Sequence, residues 1–143
     1  MTEHPNVALV RRFYEACNRG DQDLLRVCLA PDVVRYFAGR NPAAGAEKLI
    51  AYCLASVAQL QSHWSIDHAL AGEGEAVIEW TMRWRPDSSD EFILTRGTEW
   101  IVIQDGRIAE SRLYFQRDPE YTTTELQGFP YRDRGYTLLR KGG

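Results

Sequence analysis

Long apolar runs are missing from this sequence: no stretch approaches the roughly 18 consecutive apolar residues of a membrane-spanning helix, which argues against a membrane protein. Cysteine is scarce. The three present, Cys17, Cys28 and Cys53, have no metal-ligand spacing and are odd in number, so free thiols on helices are expected rather than a disulfide framework or a metal site. No CxxC, HExxH, GxGxxG, P-loop or GxSxG occurs, and no internal repeat or low-complexity linker. The common cofactor and nucleophile motifs are therefore absent, and no cofactor is expected. A basic stripe is lacking too, since 17 Lys and Arg stand against 20 Asp and Glu spread along the chain, for a formal charge of −3. Nucleic acid is not an expected partner. The N-terminus, MTEHPNVALVRRFYEAC, has neither the basic start nor the continuous apolar stretch of a signal peptide, which makes a cytoplasmic location the default expectation.

What is present suits one ordinary globular domain. The 143 residues are 44% hydrophobic and 26% charged, and a chain of this length buries roughly two thirds of its unfolded surface. Pro5 suits a first helical position, and Val7, Val10, Phe13, Tyr14 and Cys17 recur at helical spacing until Asn18-Arg19-Gly20 supplies a stop. Asp21 can cap a shorter helix carrying Leu24, Leu25 and Cys28, which Pro31 ends. Residues 32–37 read as a short strand and Gly39-Arg40-Asn41-Pro42 as a turn. From about Ala46, the set Leu49, Ile50, Cys53, Leu54, Val57 and Leu60 predicts a third amphipathic helix.

Turn signals at 71–74, 86–90 and 105–106 divide the rest into strands 63–70, 76–85, 92–103 and 107–116, an antiparallel meander. Along 76–85, Ala76, Ile78, Trp80, Met82 and Trp84 point one way, while Glu79, Thr81, Arg83 and Arg85 point the other. The order of elements is α+β: a curved antiparallel sheet wraps as a cone around N-terminal helices, leaving a cavity at its open end.

The segments FYEACNRGDQDLLRVCLAPDVV and IVIQDGRIAESRLYF, with the order of elements between them, resemble the nuclear transport factor 2-like superfamily. Within it they are most similar to the SnoaL-like and ketosteroid-isomerase-like group, over about residues 5–117. The resemblance implies a cystatin-like α+β barrel at 1–117, a C-terminal extension at 118–143, and a homodimer. It leaves the reaction open, since the superfamily hosts isomerases, cyclases, dehydratases, epoxide hydrolases and non-enzymatic binders. Carried over residue by residue, the isomerase pattern puts Tyr36 where its carboxylate base belongs and Phe13 where its oxyanion-binding tyrosine belongs. Glu99 matches its second oxyanion donor. The acids that many relatives carry on the last strand are replaced by Leu113 and Gln116.

Glu99 shares strand parity with Thr95, Gly97, Ile101 and Ile103, on the cavity side. A carboxyl facing an apolar, Trp-rich pocket is expected to gain a raised pKa useful for acid or base catalysis; the other reading is a carboxylate paired with an Arg or a helix-one hydroxyl. Tyr36 can donate a hydrogen bond to a carbonyl oxygen or serve as one more aromatic wall. His68, in phase with Trp64, Ile66 and Leu70, can shuttle a proton from inside the pocket or sit satisfied in the core. His63 and Asp67 fall on the solvent side. Trp64, Trp80, Met82, Trp84, Phe13, Leu113 and Phe115 are expected to line the cavity, with Ser111 and Tyr14 as hydroxyls at its rim, unless the third helix fills the space. Glu79, Arg83, Arg96, Glu110 and Arg112 are expected on the charged outer face. The extension, with Phe129-Pro130-Tyr131 as anchor, reads as a lid, a dimer arm or a frayed tail.

The function expected from these residues is cofactor-free acid–base chemistry, such as cyclisation, isomerisation or dehydration, on a small apolar or aromatic metabolite of polyketide-like or terpenoid-like character. Glu99, Tyr36 and His68 are its catalytic candidates. A non-catalytic ligand-binding or dimeric scaffold protein is the alternative. Opening of an epoxide is a third, and needs a carboxylate or activated water beside an arginine in the pocket.

Overall fold

The structure, a computed structural model, describes residues 2–115, 124–125 and 128–139. Pro5 opens α1 (Pro5–Arg19), where a missing N–H costs nothing, and the His4 ring accepts from the Asn6 amide at 3.0 Å. Gly20, at φ 67°, closes that helix in the left-handed region and donates its N–H to the Cys17 carbonyl. The Asp21 carboxylate accepts from the Leu24 amide at 3.1 Å and so caps α2 (Gln22–Cys28). The next strand, β1 (Leu29–Phe37), starts before Pro31, and the residues expected to turn after it form an edge strand, β2 (Arg40–Ala44), that tolerates Pro42. Then come α3 (Ala46–Leu60), β3 (His63–Gly72), β4 (Glu75–Trp84), β5 (Ile93–Gln104) and β6 (Arg107–Tyr114). Asp105 and Gly106, both at positive φ, make the tight turn between the last two.

These strands form one curved, unclosed sheet in the order β2-β1-β6-β5-β4-β3. The meander from β3 to β6 is antiparallel throughout, but β1 lies parallel to β6. A parallel neighbour needs a long connection, which α3 and the meander supply. On the inner face α1 packs against β3 and β4, and α3 against β1 and β2. Val10, Leu25, Val33, Leu49, Ile78 and Ile101 are fully buried between the layers, each contributing about 1.5–3 kcal/mol relative to an exposed side chain. Cys17, Cys28 and Cys53 are buried free thiols in this core.

A bulge in β3 decides which residues face inward. The register shifts between Ile66 and His68, so Asp67 is an extra residue and the alternation changes phase beyond it. Trp64 and Ile66 point into the core before the bulge, and Ala69 and Ala71 after it. His68 is thereby turned outward, its side chain 57% exposed and 3.7 Å from Glu79, which corrects the inward placement expected from unbroken alternation.

Of the C-terminal extension, the described residues lie on the outer face of the sheet. Thr137 donates to Asp67 through its amide at 2.7 Å and its hydroxyl at 2.5 Å, and Tyr136 donates to Glu79. Arg96 sits under Tyr131, with its guanidinium carbon 4.1 Å from the ring centroid, and pairs with Glu125 at 2.8 Å. Asp67, Thr81 and Arg96, expected on a solvated face, are covered by this segment. Gln116 and the remainder of the extension lie outside the described residues.

Candidate ligand cavity

Between α3 and the open end of the sheet lies a cavity of about 500 Å³, within the range that accepts a drug-sized molecule. Trp64, Trp80, Met82, Trp84, Leu113 and Phe115 line it, as expected from strand parity. To these the structure adds Phe37, Thr95, and Tyr52, Ser56 and Gln59 from α3. The helical face that carries Tyr52, Ser56 and Gln59 lies at i, i+4, i+7, and could have been read from the sequence as a second, more polar stripe beside the apolar one.

Among the described residues, the charged group in the wall is Arg35. Along β1 the buried residues are Leu29, Val33 and Arg35, with the half-buried Phe37 after them in phase with Val33 and Arg35. Tyr36, on the opposite phase, is 44% exposed and paired in register with Arg112 on the outer face. Tyr36 is therefore not a cavity residue. The period-two pattern of Val33, Arg35 and Phe37 was the available signal for Arg35. It was obscured because the family pattern placed the functional position one residue later.

Glu99 is buried, but it stands behind Arg35 instead of lining the cavity. Arg35 Nη2 lies 3.3 Å from Glu99 Oε2 and donates to the Tyr14 hydroxyl at 2.7 Å. Tyr14 in turn donates to Glu99 Oε1, and Ser111 donates to Glu99 Oε2. Three donors thus converge on one carboxylate, the arrangement an acceptor-only group requires. Tyr14 and Ser111 are consequently part of the support beneath the cavity and not hydroxyls at its rim. Phe13 also sits behind the wall: the Arg35 guanidinium carbon is 5.8 Å from its ring centroid and 5.9 Å from that of Phe37. α1 supplies Phe13 and Tyr14, β1 supplies Arg35, β5 Glu99 and β6 Ser111, so four elements lock one guanidinium in place.

The electrostatics follow from burial. Desolvation, with Glu99 next to it, pushes the Tyr14 hydroxyl well above the ordinary tyrosine range and keeps it a donor. Burial works against the Arg35 charge, but Tyr14 and Glu99 outweigh it and leave the guanidinium more firmly protonated than usual. Deeper still, Cys17 and Cys53 have their sulfurs 3.3 Å apart. Burial raises the Cys17 thiol, whereas the hydrogen bond from Cys17 lowers Cys53. Among the described residues no group of three His, Cys, Asp or Glu is placed to hold a metal ion, and no helix is long and apolar enough to cross a membrane.

The SnoaL-like domain family model matches residues 10–111. A crystal structure from Methylobium petroleophilum PM1, of unknown function and cystatin-like fold, is similar at 28% identity and TM-score 0.71, over 100% of this chain and 99% of that one. A candidate SnoaL-like polyketide cyclase from Jannaschia sp. CCS1 is similar at 15% identity and TM-score 0.66, over 80% of this chain and 90% of that one. An LEH-like epoxide hydrolase of M. tuberculosis is similar at 19% identity and TM-score 0.69, over 78% and 83%. No curated protein sequence matches the chain.

Proposed function

The chain belongs to the SnoaL-like domain family, and on that footing we propose that it is a cofactor-free enzyme acting on a small, largely apolar molecule held in the cavity, with Arg35 as its electrophilic group. The observation that carries this reading is a buried, positively charged guanidinium in the wall of a cavity rich in aromatic side chains, fixed from behind by Glu99 and Tyr14. When a carbon next to a carbonyl loses a proton to water or to a basic group of the substrate itself, in isomerisation, cyclisation or dehydration, negative charge gathers on the oxygen. A guanidinium already oriented in a dry site stabilises that charge without reorganising. Glu99 then acts through Arg35, holding it in place, and does not touch the substrate.

A non-catalytic receptor is the second reading. It is favoured by the absence, among the described residues, of any carboxylate or imidazole in the cavity wall to take the proton. Epoxide opening is supported by the arginine beside a carboxylate that it requires, but Glu99 has no face on the cavity through which to activate a water.

The test is turnover of a panel of β-keto and α,β-unsaturated carbonyl compounds and of small epoxides, followed by mass spectrometry, in the wild type and in Arg35→Met. The enzyme reading expects conversion that falls at least about 10²-fold in the variant, the size of losing one oxyanion donor. Binding of the same compounds with none converted would replace it with the receptor.

The homodimer belongs to the same proposal. Its support is a row of side chains across the outer face, where Tyr36 pairs in register with Arg112 and Arg112 with Trp100, and both aromatic residues are exposed. Light scattering on the wild type and on Trp100→Glu tests it, a monomer being expected only for the variant.

A further inference from the structure

Over its first half, β5 has a neighbouring strand on one side only. It starts at Ile93, but its pairing with β6 begins at Thr98, opposite Tyr114, so among the described residues β4 alone flanks the stretch from Ile93 to Gly97 within the sheet. That stretch carries two supports of the cavity wall. Thr95 accepts from the Trp84 indole at 2.9 Å, and Gly97 lies so close to the Trp80 ring that a Cβ there would clash with it. A half-strand with one open side is where a sheet opens first, because its backbone groups on that side lack the bonds of a ladder.

The C-terminal segment, in its described residues 124–125 and 128–139, attaches to this half-strand from outside. The Arg96 amide donates to the Thr124 hydroxyl oxygen at 2.7 Å. The Arg96 side chain, 9% exposed, lies under Tyr131, pairs with Glu125 and donates to Thr81 Oγ1 at 2.8 Å. Thr81 donates on to Asp67, whose carboxylate, 3% exposed, also accepts the Thr137 amide and hydroxyl. In register, Thr81 faces Arg96 between the pairs Trp80–Gly97 and Met82–Thr95. The residues gripped on the outer face therefore alternate with those that line or support the cavity on the inner one. One layer of sheet separates the two.

The contact has the character of a segment that can leave. It consists of hydrogen bonds, an ion pair and a cation–π stack, and none of the segment's described residues is buried. Phe129, Tyr131 and Tyr136 pack on one another instead, with ring centroids 4.8, 5.3 and 5.5 Å apart, and the Tyr136 amide donates to the Tyr131 carbonyl at 3.0 Å. Polar contacts of this kind exchange for water at small net cost.

We propose that this segment is a reversible strap for the tryptophan wall. Docked, it fixes residues 93–97 of β5 and with them Thr95 and Gly97 against Trp84 and Trp80. Released, it frees that half-strand and loosens the wall. The inference stands whatever molecule the cavity takes.

Hydrogen exchange in the full chain, read by proton–nitrogen spectra, tests it without a ligand. Arg96 and Thr137 report release of the strap, since their amides donate to Thr124 and Asp67. The Trp84 indole N–H reports the wall, and the buried Ile78 and Ile101 report the core of the same two strands. In the wild type, Arg96 and Thr137 are expected to share one degree of protection, at least about 10-fold below that of Ile78 and Ile101, as a local opening requires. Tyr131→Ala, which removes the ring over Arg96, is expected to speed exchange at Arg96, Thr137 and the Trp84 indole together. The rise should be at least about threefold, the effect of losing one cation–π contact, with Ile78 and Ile101 unchanged. A rise at Arg96 and Thr137 that leaves the Trp84 indole unmoved would overturn the link to the wall. A rise spread evenly over Ile78 and Ile101, or no rise at all, would overturn the strap. So would wild-type protection of Arg96 and Thr137 equal to that of Ile101, a comparison that does not depend on how well the variant folds.

Discussion

Arg35 and Glu99, 64 residues apart in the chain, meet at 3.3 Å with their side chains no more than 4% exposed. A buried pair of this kind contributes less through its attraction than it costs to break, because the partner left behind keeps its charge without water. Glu99→Gln is accordingly expected to lower unfolding free energy by about 3–5 kcal/mol in denaturant melts. The double variant Arg35→Met/Glu99→Leu, which removes both charges and keeps apolar volume, should lose markedly less than Glu99→Gln does. A double variant that is worse than the single one would show that the pair itself is stabilising.

Gly97 is where the cavity wall is most sensitive to a single methyl group. Because a Cβ at that position would occupy the space of the Trp80 ring, Gly97→Ala must displace the indole toward the cavity. The expected cost is about 1–3 kcal/mol, the range for overpacking, together with a change in tryptophan fluorescence and weaker binding of any cavity ligand. Unchanged fluorescence and affinity would mean that Trp80 does not rest on the strand there.

Tyr36 and His68 face outward, so Tyr36→Phe and His68→Ala should leave ligand affinity and any turnover as they are. Stability should change by no more than about 0.5 kcal/mol. Loss of turnover in His68→Ala at unchanged stability would restore the histidine to the site.

Tyr136 gives the C-terminal segment a signature in pH. Its hydroxyl donates to Glu79, and that hydrogen bond, then burial, pushes its pKa from 10.0 up to about 12. With the folded value above the unfolded one, the contact contributes stability fully below about pH 10 and loses it as pH rises through about 12. Ultraviolet titration of the wild type minus Tyr136→Phe should therefore isolate a phenol that ionises near 12. A difference curve centred near 10 would detach Tyr136 from Glu79.

Much of the fold was legible because it depends on local periodicity. Val7, Val10, Phe13 and Cys17 repeat at helical spacing, and Gly20, Asp21 and Asp105-Gly106 mark ends and turns through their own backbone preferences. Strand parity on β4 put Trp80, Met82 and Trp84 on the inner face, and there it succeeded because β4 keeps an unshifted register against β5. The same rule failed for His68, since one bulge at Asp67 reverses every side chain beyond it. The parallel pairing of β1 with β6 carries no local mark either, and the expected turn at 39–42 became the hairpin to an edge strand.

From the sequence alone came the α+β class, the three helices, the meander and the aromatic wall of the cavity, because each follows from residues within one or two turns or strands of one another. Whether Glu99 would face the cavity or an arginine could not follow in that way. That choice depends on β1 and β5 bringing Arg35 and Glu99 together across the sheet, on α1 delivering Tyr14 between them, and on which of two adjacent residues, Arg35 or Tyr36, β1 turns inward. A buried charge takes the partner that the tertiary packing places beside it, and here that packing put the guanidinium in the cavity wall and the carboxylate behind it.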